Sequence, residues 1–191
     1  MNCRAWVGGP GLRLGLCLVL ATSGAAAATG GPVVEEYALK AAVVLNLAKF
    51  VEWPQGTFLN PQDPIVICIL GDNPFGRSLE QAVRGQAIDN RPLIVQQVSN
   101  VAQARSCQVV FVSWSERKRL RSIFGQLSSR GILTVGDTDD FAAEGGVVNL
   151  SVEANRIRIE INPEAAGQQR MRISSRLLSL ALIKRTLRAK K

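Results

Sequence analysis

The sequence predicts an α/β domain: a layered, mostly parallel sheet flanked by helices, ending in a C-terminal β-hairpin and a final helix. Three observations carry this. Short continuous apolar runs bounded by turn residues, led by Ile65-Val66-Ile67-Cys68-Ile69-Leu70 between Pro64 and Gly71, read as strands buried on both faces. Such runs alternate with stretches of helical period, the pattern of parallel strand–helix–strand units. Near the end the period drops to two, with Ile157, Ile159 and Ile161 alternating against Arg156, Arg158 and Glu160, so that one face of that strand is wet or meets a partner. Hydrophobic residues make up 47% and charged residues 20% of 191 residues, a composition that supports one folded core.

In chain order, residues 1–28 carry Arg4 and Arg13, the apolar run 14–21 and the small-residue stretch 23–28, the pattern of a cleaved signal peptide. The run is shorter than the roughly 20 residues that span a bilayer, so no integral membrane segment is expected after its removal. Residues 29–191 then form a single domain. Its first helix is expected over 33–53, where Tyr37, Ala41, Val44, Leu45, Ala48 and Val51 recur at spacings of three and four, with Glu35, Glu36, Lys40 and Lys49 between them; Pro54 stops it. Strands follow at 65–70, 93–98, 109–113 and 132–135. Helices are expected at 78–83, 101–105 and 115–127, the last started by Ser115 and closed by Gly131, and a short acidic one at 137–143. A hairpin spans 147–152 and 156–161 with Asn155 supplying a left-handed turn, and a last helix runs from Ser174 or Ser175 to about residue 187.

Removing Arg4 and Arg13 from 23 basic residues set against 15 acidic ones leaves a mature net charge of +6. Much of the excess lies in Lys184, Arg185, Arg188, Lys190 and Lys191. Without interleaved aromatics this basic end reads as a solvated helix terminus, and no nucleic-acid partner is expected. Cys3 and Cys17 leave with the signal. The remaining pair, Cys68 and Cys107, invites one disulfide in an oxidising compartment, the alternative being two buried apolar thiols on neighbouring strands.

The chain contains no histidine, which removes the side chain best suited to proton transfer near neutral pH and the commonest zinc ligand. No catalytic residues, metal site or cofactor are expected. Gly71-Asp72-Asn73-Pro74-Phe75-Gly76 follows a strand and precedes a helix, yet has neither the glycine spacing of a dinucleotide fingerprint nor the lysine of a P-loop; it reads as a turn in which Asn73 or Asp72 caps the helix that follows. Asp137, Asp139 and Asp140 lack calcium-loop spacing and read as a charged helix start. Arg91 and Arg172 are candidates for holding an anionic small molecule, with ordinary surface ion pairing as the alternative. Phe50, Trp53 and Pro54 form a candidate anchoring patch after the first helix, either closing the core or making an interface hot spot.

Read together, several stretches resemble the YfiR family of periplasmic proteins. They are Tyr37-Ala38-Leu39-Lys40-Ala41-Ala42, Leu45-Asn46-Leu47-Ala48-Lys49-Phe50-Val51-Glu52-Trp53-Pro54, Ile67-Cys68-Ile69-Leu70-Gly71 with Pro74-Phe75-Gly76, and Gly85-Gln86 with Arg91. Further on come the strand 107–113, Leu133-Thr134-Val135, Phe141 with Gly145-Gly146, Ile159-Glu160-Ile161-Asn162, and Ile173-Ser174-Ser175 with Leu177-Leu178. The likeness runs in order from about residue 35 to 183. It implies a compact, non-catalytic periplasmic repressor that binds the periplasmic part of an inner-membrane diguanylate cyclase and so lowers cyclic di-GMP and biofilm formation. A second copy of the chain is a further candidate partner, and a periplasmic small-molecule binding protein is the alternative function. Cys68 and Cys107 match a cysteine pair of that group. A second pair carried by some members is absent, since no cysteine follows Cys107, which departs from the family's redox-control pattern, and the bridge is expected to act as a structural staple.

Overall fold

A computed structural model describes residues 32–154 and 156–184. The expected signal peptide, Asn155 and the basic end beyond Lys184 lie outside the described residues. The chain begins with α1 (Pro32–Ala48) and a two-residue strand β1 (Val51–Glu52), then enters the α/β body. There β2 (Ile65–Leu70), α2 (Ser78–Val83), β3 (Ala87–Ile88), β4 (Arg91–Val98), α3 (Val101–Ala104) and β5 (Val109–Val112) follow. A 3-10 helix (Trp114–Arg119) leads into α4 (Leu120–Leu127) and β6 (Leu133–Gly136). The chain closes with β7 (Val148–Glu153), β8 (Arg156–Ile161), α5 (Pro163–Gln168), β9 (Arg172–Ile173), α6 (Ser175–Leu178) and β10 (Leu182–Ile183).

Eight strands make one sheet in the order β10-β8-β7-β6-β5-β2-β4-β3. From β4 through β2, β5 and β6 to β7 every pairing is parallel, while β7 and β8 form an antiparallel hairpin and β10 lies parallel to β8. The α/β class and the mostly parallel sheet are therefore as the sequence predicts. Strand β2 lies at the reversal of winding, with β4 on one side and β5 on the other, the point at which doubly wound sheets present their ligand crevice.

Both faces of β2 are buried. Ile65, Ile67 and Ile69 join α1, α2 and the C-terminal segments in one apolar cluster, whereas Cys68 and Leu70 join α3, α4 and Phe141 in the other. Cys68 and Cys107 are joined by a disulfide with alpha carbons 6.0 Å apart, inside the second cluster, and both residues are buried. The bridge ties the middle of the central strand to the segment entering β5.

Several elements depart from expectation, each because a tertiary partner outbids local propensity. Helix α1 stops at Ala48 and not at Trp53, since Val51 and Glu52 pair antiparallel with Ile173 and Arg172 as a separate two-stranded ribbon. Ser115 does not start a helix: its hydroxyl accepts a hydrogen bond from Asp72 N at 3.0 Å, while the segment begins as a 3-10 turn at Trp114 and becomes α-helical only at Leu120. The acidic stretch 137–143 is a chain of turns. Asp140 has φ of +60°, which a helix cannot accommodate, and the turns seat Phe141 against Gly136 and Gly146, where a Cβ would collide with the ring. The hairpin turn places Ala154 in the left-handed region, with φ of +48°.

The expected final helix is one turn, α6, capped by the Ser174 hydroxyl accepting from Leu177 N. The chain then extends so that Leu182 and Ile183 pair with Glu160 and Ile161. An open edge on β8 offers a ladder, including Lys184 N to Ile161 O at 2.8 Å, that a solvent-exposed helix could not match.

The disulfide closes a sequence separation of 39 residues, for which loop-closure entropy gives about 3 to 4 kcal/mol. The double change of Cys68 and Cys107 to Ser should lower the unfolding free energy by about that amount while leaving a cooperative unfolding transition. A thiol titration of unfolded, unreduced protein without its leader should find no free thiol, and two free thiols would contradict the bridge.

Candidate functional site

The crevice at the winding reversal is filled by the chain itself. Gly71, with φ of +92°, ends β2 so close to the Ser115 and Glu116 side chains that a Cβ there would strike both. Phe75 then packs edge-on against Phe111, ring centroids 4.7 Å apart. The turn 71–76 is thus a structural device. Asn73 Oδ1 accepts from Phe75 N at 2.9 Å, and Arg77, not Asn73 or Asp72, stands at the helix cap.

At the carboxyl end of β6 lies a buried polar knot holding α1 to the sheet. Lys40 is 4% exposed, and its ammonium donates to Asp137 Oδ2 at 2.9 Å and meets Glu36 Oε1 at 2.6 Å. Tyr37 donates its hydroxyl to the same Asp137 oxygen at 2.7 Å and lies edge-on to Phe75. Lys40 belongs to the inner stripe of α1, not to the solvent side where its charge puts it in the sequence. Burial, then the hydrogen bond to Asp137 and its negative charge, pushes the Tyr37 phenol well above its ordinary range.

The residues of the expected anchoring patch occupy the opposite end of α1. Phe50 follows the helix, and its carbonyl accepts from Ser174 N at 3.0 Å. Trp53 sits edge-on to Phe58 with centroids 5.9 Å apart, and both rings pack half-buried on the main core. Pro54 lies against Gly131, where a Cβ would come within 2.8 Å of its ring. The Trp53 indole N–H is buried with no hydrogen-bond partner among the described residues.

Arg91 belongs to the same corner. Its guanidinium lies 3.9 Å from the centroid of the Phe58 ring and donates to the carbonyls of Asn60 and Asp63 at 2.8 and 3.1 Å. Asp63 in turn accepts from Leu59 N and Asn60 N. Hydrogen bonds from the Asn60 backbone and side chain hold its carboxyl below the usual range. The loop 53–63 is therefore pinned, and at its tip it presents Leu59, 91% exposed. Arg172 stands apart on β9 opposite Glu52, exposed and without an ion pair to another described residue. The two arginines are not joined by any contact, and Arg91 is committed to shaping the loop.

Most of the exposed large apolar side chains lie on α1, the hairpin and the segment 180–183. Val33, Leu39, Val152 and Ile157 line a groove of about 290 Å³ beside Glu35, Glu36 and Arg156. A second groove of about 460 Å³ shares Arg156 and Ile157 and continues to Ile159, Leu180 and Leu182. Both grooves thus combine apolar side chains with a charged rim. Among the described residues, no group of three or more His, Cys, Asp or Glu side chains is placed to hold a metal ion, and no helix is long and apolar enough to cross a membrane.

The structure is thus an α/β sheet covered by helices on both faces, with the crevice at its winding reversal plugged, a pinned aromatic loop and an open apolar face. The YfiR/HmsC-like family profile matches residues 37–182, nearly all of the described chain, and the protein belongs to that family. No curated protein matches it. Among solved structures the chain resembles a conserved domain protein from Vibrio cholerae O1 biovar El Tor, with a TM-score of 0.50 and 13% identity over 80% of this chain and 60% of that one. It also resembles the ABC domain in complex with L-Trp from Streptococcus pneumoniae, with a TM-score of 0.51 and 11% identity over 75% of this chain and 60% of that one. The chain spans about 60% of the length of each, and at these identities the likeness is one of fold.

Tyr37 is the one tyrosine in the sequence, so an absorbance titration of phenolate reports it alone. In the folded protein its ionisation should begin well above pH 10, the ordinary tyrosine value. Because the folded pKa is raised, the associated stability is intact below the unfolded value and is lost as pH climbs above about 10. Tyr37→Phe should remove this alkaline loss, and at neutral pH should cost about 1.5 to 3 kcal/mol for a hydrogen bond to a charged acceptor. Ionisation at the ordinary value would show that the knot is open in solution.

Proposed function

We propose that the protein is exported by its leader and acts in the periplasm as a non-catalytic repressor, binding the periplasmic part of an inner-membrane diguanylate cyclase and lowering cyclic di-GMP output. The observation that carries this reading is the YfiR/HmsC-like match across residues 37–182. A buried disulfide fits an oxidising compartment, and a chain without histidine, whose crevice is filled by Ser115 and Glu116, offers poor material for acid–base chemistry. The docking surface we assign is the apolar face shared by α1 and the β7–β8 hairpin, with the pinned loop carrying Trp53, Phe58 and Leu59 as a second contact. Apolar anchors inside a polar rim are what concentrates binding energy at protein interfaces.

Two measurements test this. Deleting the gene should raise cellular cyclic di-GMP, and the protein lacking its leader should bind the periplasmic domain of a cyclase encoded beside it. Leu39→Asp and Leu180→Asp, at exposed positions, should leave stability within about 0.5 kcal/mol of the parent. Each should weaken cyclase binding by about tenfold or more. Unchanged cyclic di-GMP on deletion would refute repression; intact binding by both variants would move the interface elsewhere.

Arg91→Ala separates the loop from the α1 face. Losing the ring contact and both carbonyl hydrogen bonds should release the loop 53–63, seen as faster amide exchange at Leu59 and Asn60 with little change in the global melting temperature.

A further inference from the structure

Beyond the carboxyl ends of β5 and β6 lies an open cleft of about 760 Å³ that the docking surface does not use. One wall is the 3-10 helix and the start of α4, with Trp114, Arg117, Lys118 and Arg121; the other is the turn after β6, with Thr138, Asp139, Asp140 and Glu144. Parallel sheets present ligands at this end of their strands. With the β2–β5 crevice occupied by Ser115, the open space has moved one strand along.

The charges in the cleft do not cancel within the protein. Arg121 engages Glu144 through Nε and Nη2, which holds the Glu144 carboxyl below its usual range, and Arg119, which also lines the cleft, is bound to Glu116. Arg117 and Lys118 then remain on one wall and Asp139 and Asp140 on the other, none of them ion-paired to another described residue. The Arg117 guanidinium lies 3.3 Å from the centroid of the Trp114 ring, which is 56% exposed and gives the cleft a flat apolar wall. Thr138 is 6% exposed, and its hydroxyl has no hydrogen-bond partner among the described residues. Arg117 also donates to the Trp114 carbonyl at 3.4 Å, so its stacking fixes its place while its charge stays unneutralised. Two cations on one wall and two carboxylates on the other, none ion-paired among the described residues, repel any ligand of a single sign from one wall or the other, whereas a ligand bearing both signs satisfies the two walls together.

We infer that this cleft binds a small zwitterion, an acid group and a primary amine a few bonds apart, with the acid against Arg117 and Lys118 and the ammonium against Asp139 and Asp140. A free amino acid and a phosphoethanolamine head group share that chemistry. Calorimetric titration of the protein without its leader distinguishes them, using β-alanine and phosphoethanolamine as probes with inorganic phosphate and ethylamine as single-charge controls. Saturable binding of at least one zwitterion is expected, with both controls weaker by about tenfold or more. Binding of phosphoethanolamine alone assigns the acid as a phosphate; binding of β-alanine, alone or with it, assigns a carboxylate.

Lys118→Ala and Asp139→Asn are both exposed substitutions. Each should weaken the bound zwitterion by about tenfold while leaving the melting temperature unchanged. If phosphate binds as tightly as the zwitterions and Asp139→Asn has no effect, the cleft is a plain anion site and the inference fails. It fails equally if neither zwitterion gives a saturable signal up to ~10 mM, a range that reaches well past millimolar affinity. The readout is binding to this protein alone, so it is independent of whether a cyclase is repressed.

Discussion

Everything in this fold is organised around a central strand that has no wet side. Ile67 and Ile69 point into the cluster under α1 and α2, and Cys68 and Leu70 into the cluster under α3 and α4. Two-sided burial requires helices on both faces, and that requires crossover connections of consistent hand on each side of β2. The reversal at β2 follows from the same demand, since the chain covers one face on its way to β4 and the other on its way to β5 and β6. The disulfide pins the middle of that strand from the α3 side, so its stabilisation acts where the sheet is most completely excluded from water.

A strand with this role announces itself, which is why the architecture was legible. An apolar run of six residues between Pro64 and Gly71 has few solutions other than a buried parallel strand, and the helices needed to cover it were found by their period. What stayed hidden was pairing decided by distant segments. Nothing local to Val51-Glu52 predicts that Arg172-Ile173 will come alongside, and nothing in the leucine-rich stretch 177–182 reveals that an open edge on β8 will draw Leu182 and Ile183 into a strand. Other elements had signals that were there to be read. Asn162-Pro163-Glu164 is a capped helix start with proline at its first position, and it forms α5, with Asn162 Oδ1 accepting from Ala165 N. Asp89 and Asn90, both at positive φ, are the pair a tight hairpin turn between β3 and β4 requires.

The candidate site was legible in part and for a similar reason. Phe50, Trp53 and Pro54 stand out in the sequence as two aromatics and a proline where the helical period ends, but their neighbours Phe58, Leu59 and Arg91 lie on a loop and a strand brought together only by the fold. Charge alone misplaced Lys40 on the outside of α1. Its stem continues the inner stripe between Tyr37 and Ala41, and the buried Asp137 that compensates its charge lies almost a hundred residues away. A buried ion pair of this kind is costly unless fully hydrogen-bonded, and here one oxygen, Asp137 Oδ1, remains without a partner. Such a knot is better at specifying position than at adding stability: α1 can shift along the sheet only by breaking the Lys40 and Tyr37 contacts together.

That positional role links the apolar groove on α1 to the charged cleft beyond β6. Helix α1 supplies Val33 and Leu39 to the docking groove, and its inner face is fixed at Asp137, the residue immediately before the turn that builds one wall of the charged cleft. Thr138 and Asp139 follow Asp137 directly, so a rearrangement of that turn must either leave Asp137 in place or pull on Lys40 and Tyr37. The knot is a contiguous set of contacts, running from the turn after β6 through one carboxylate to the inner face of α1. Its stiffness comes from burial, since Lys40 and the Asp137 carboxylate are both screened from water and neither can trade its partner for solvent without unpacking α1.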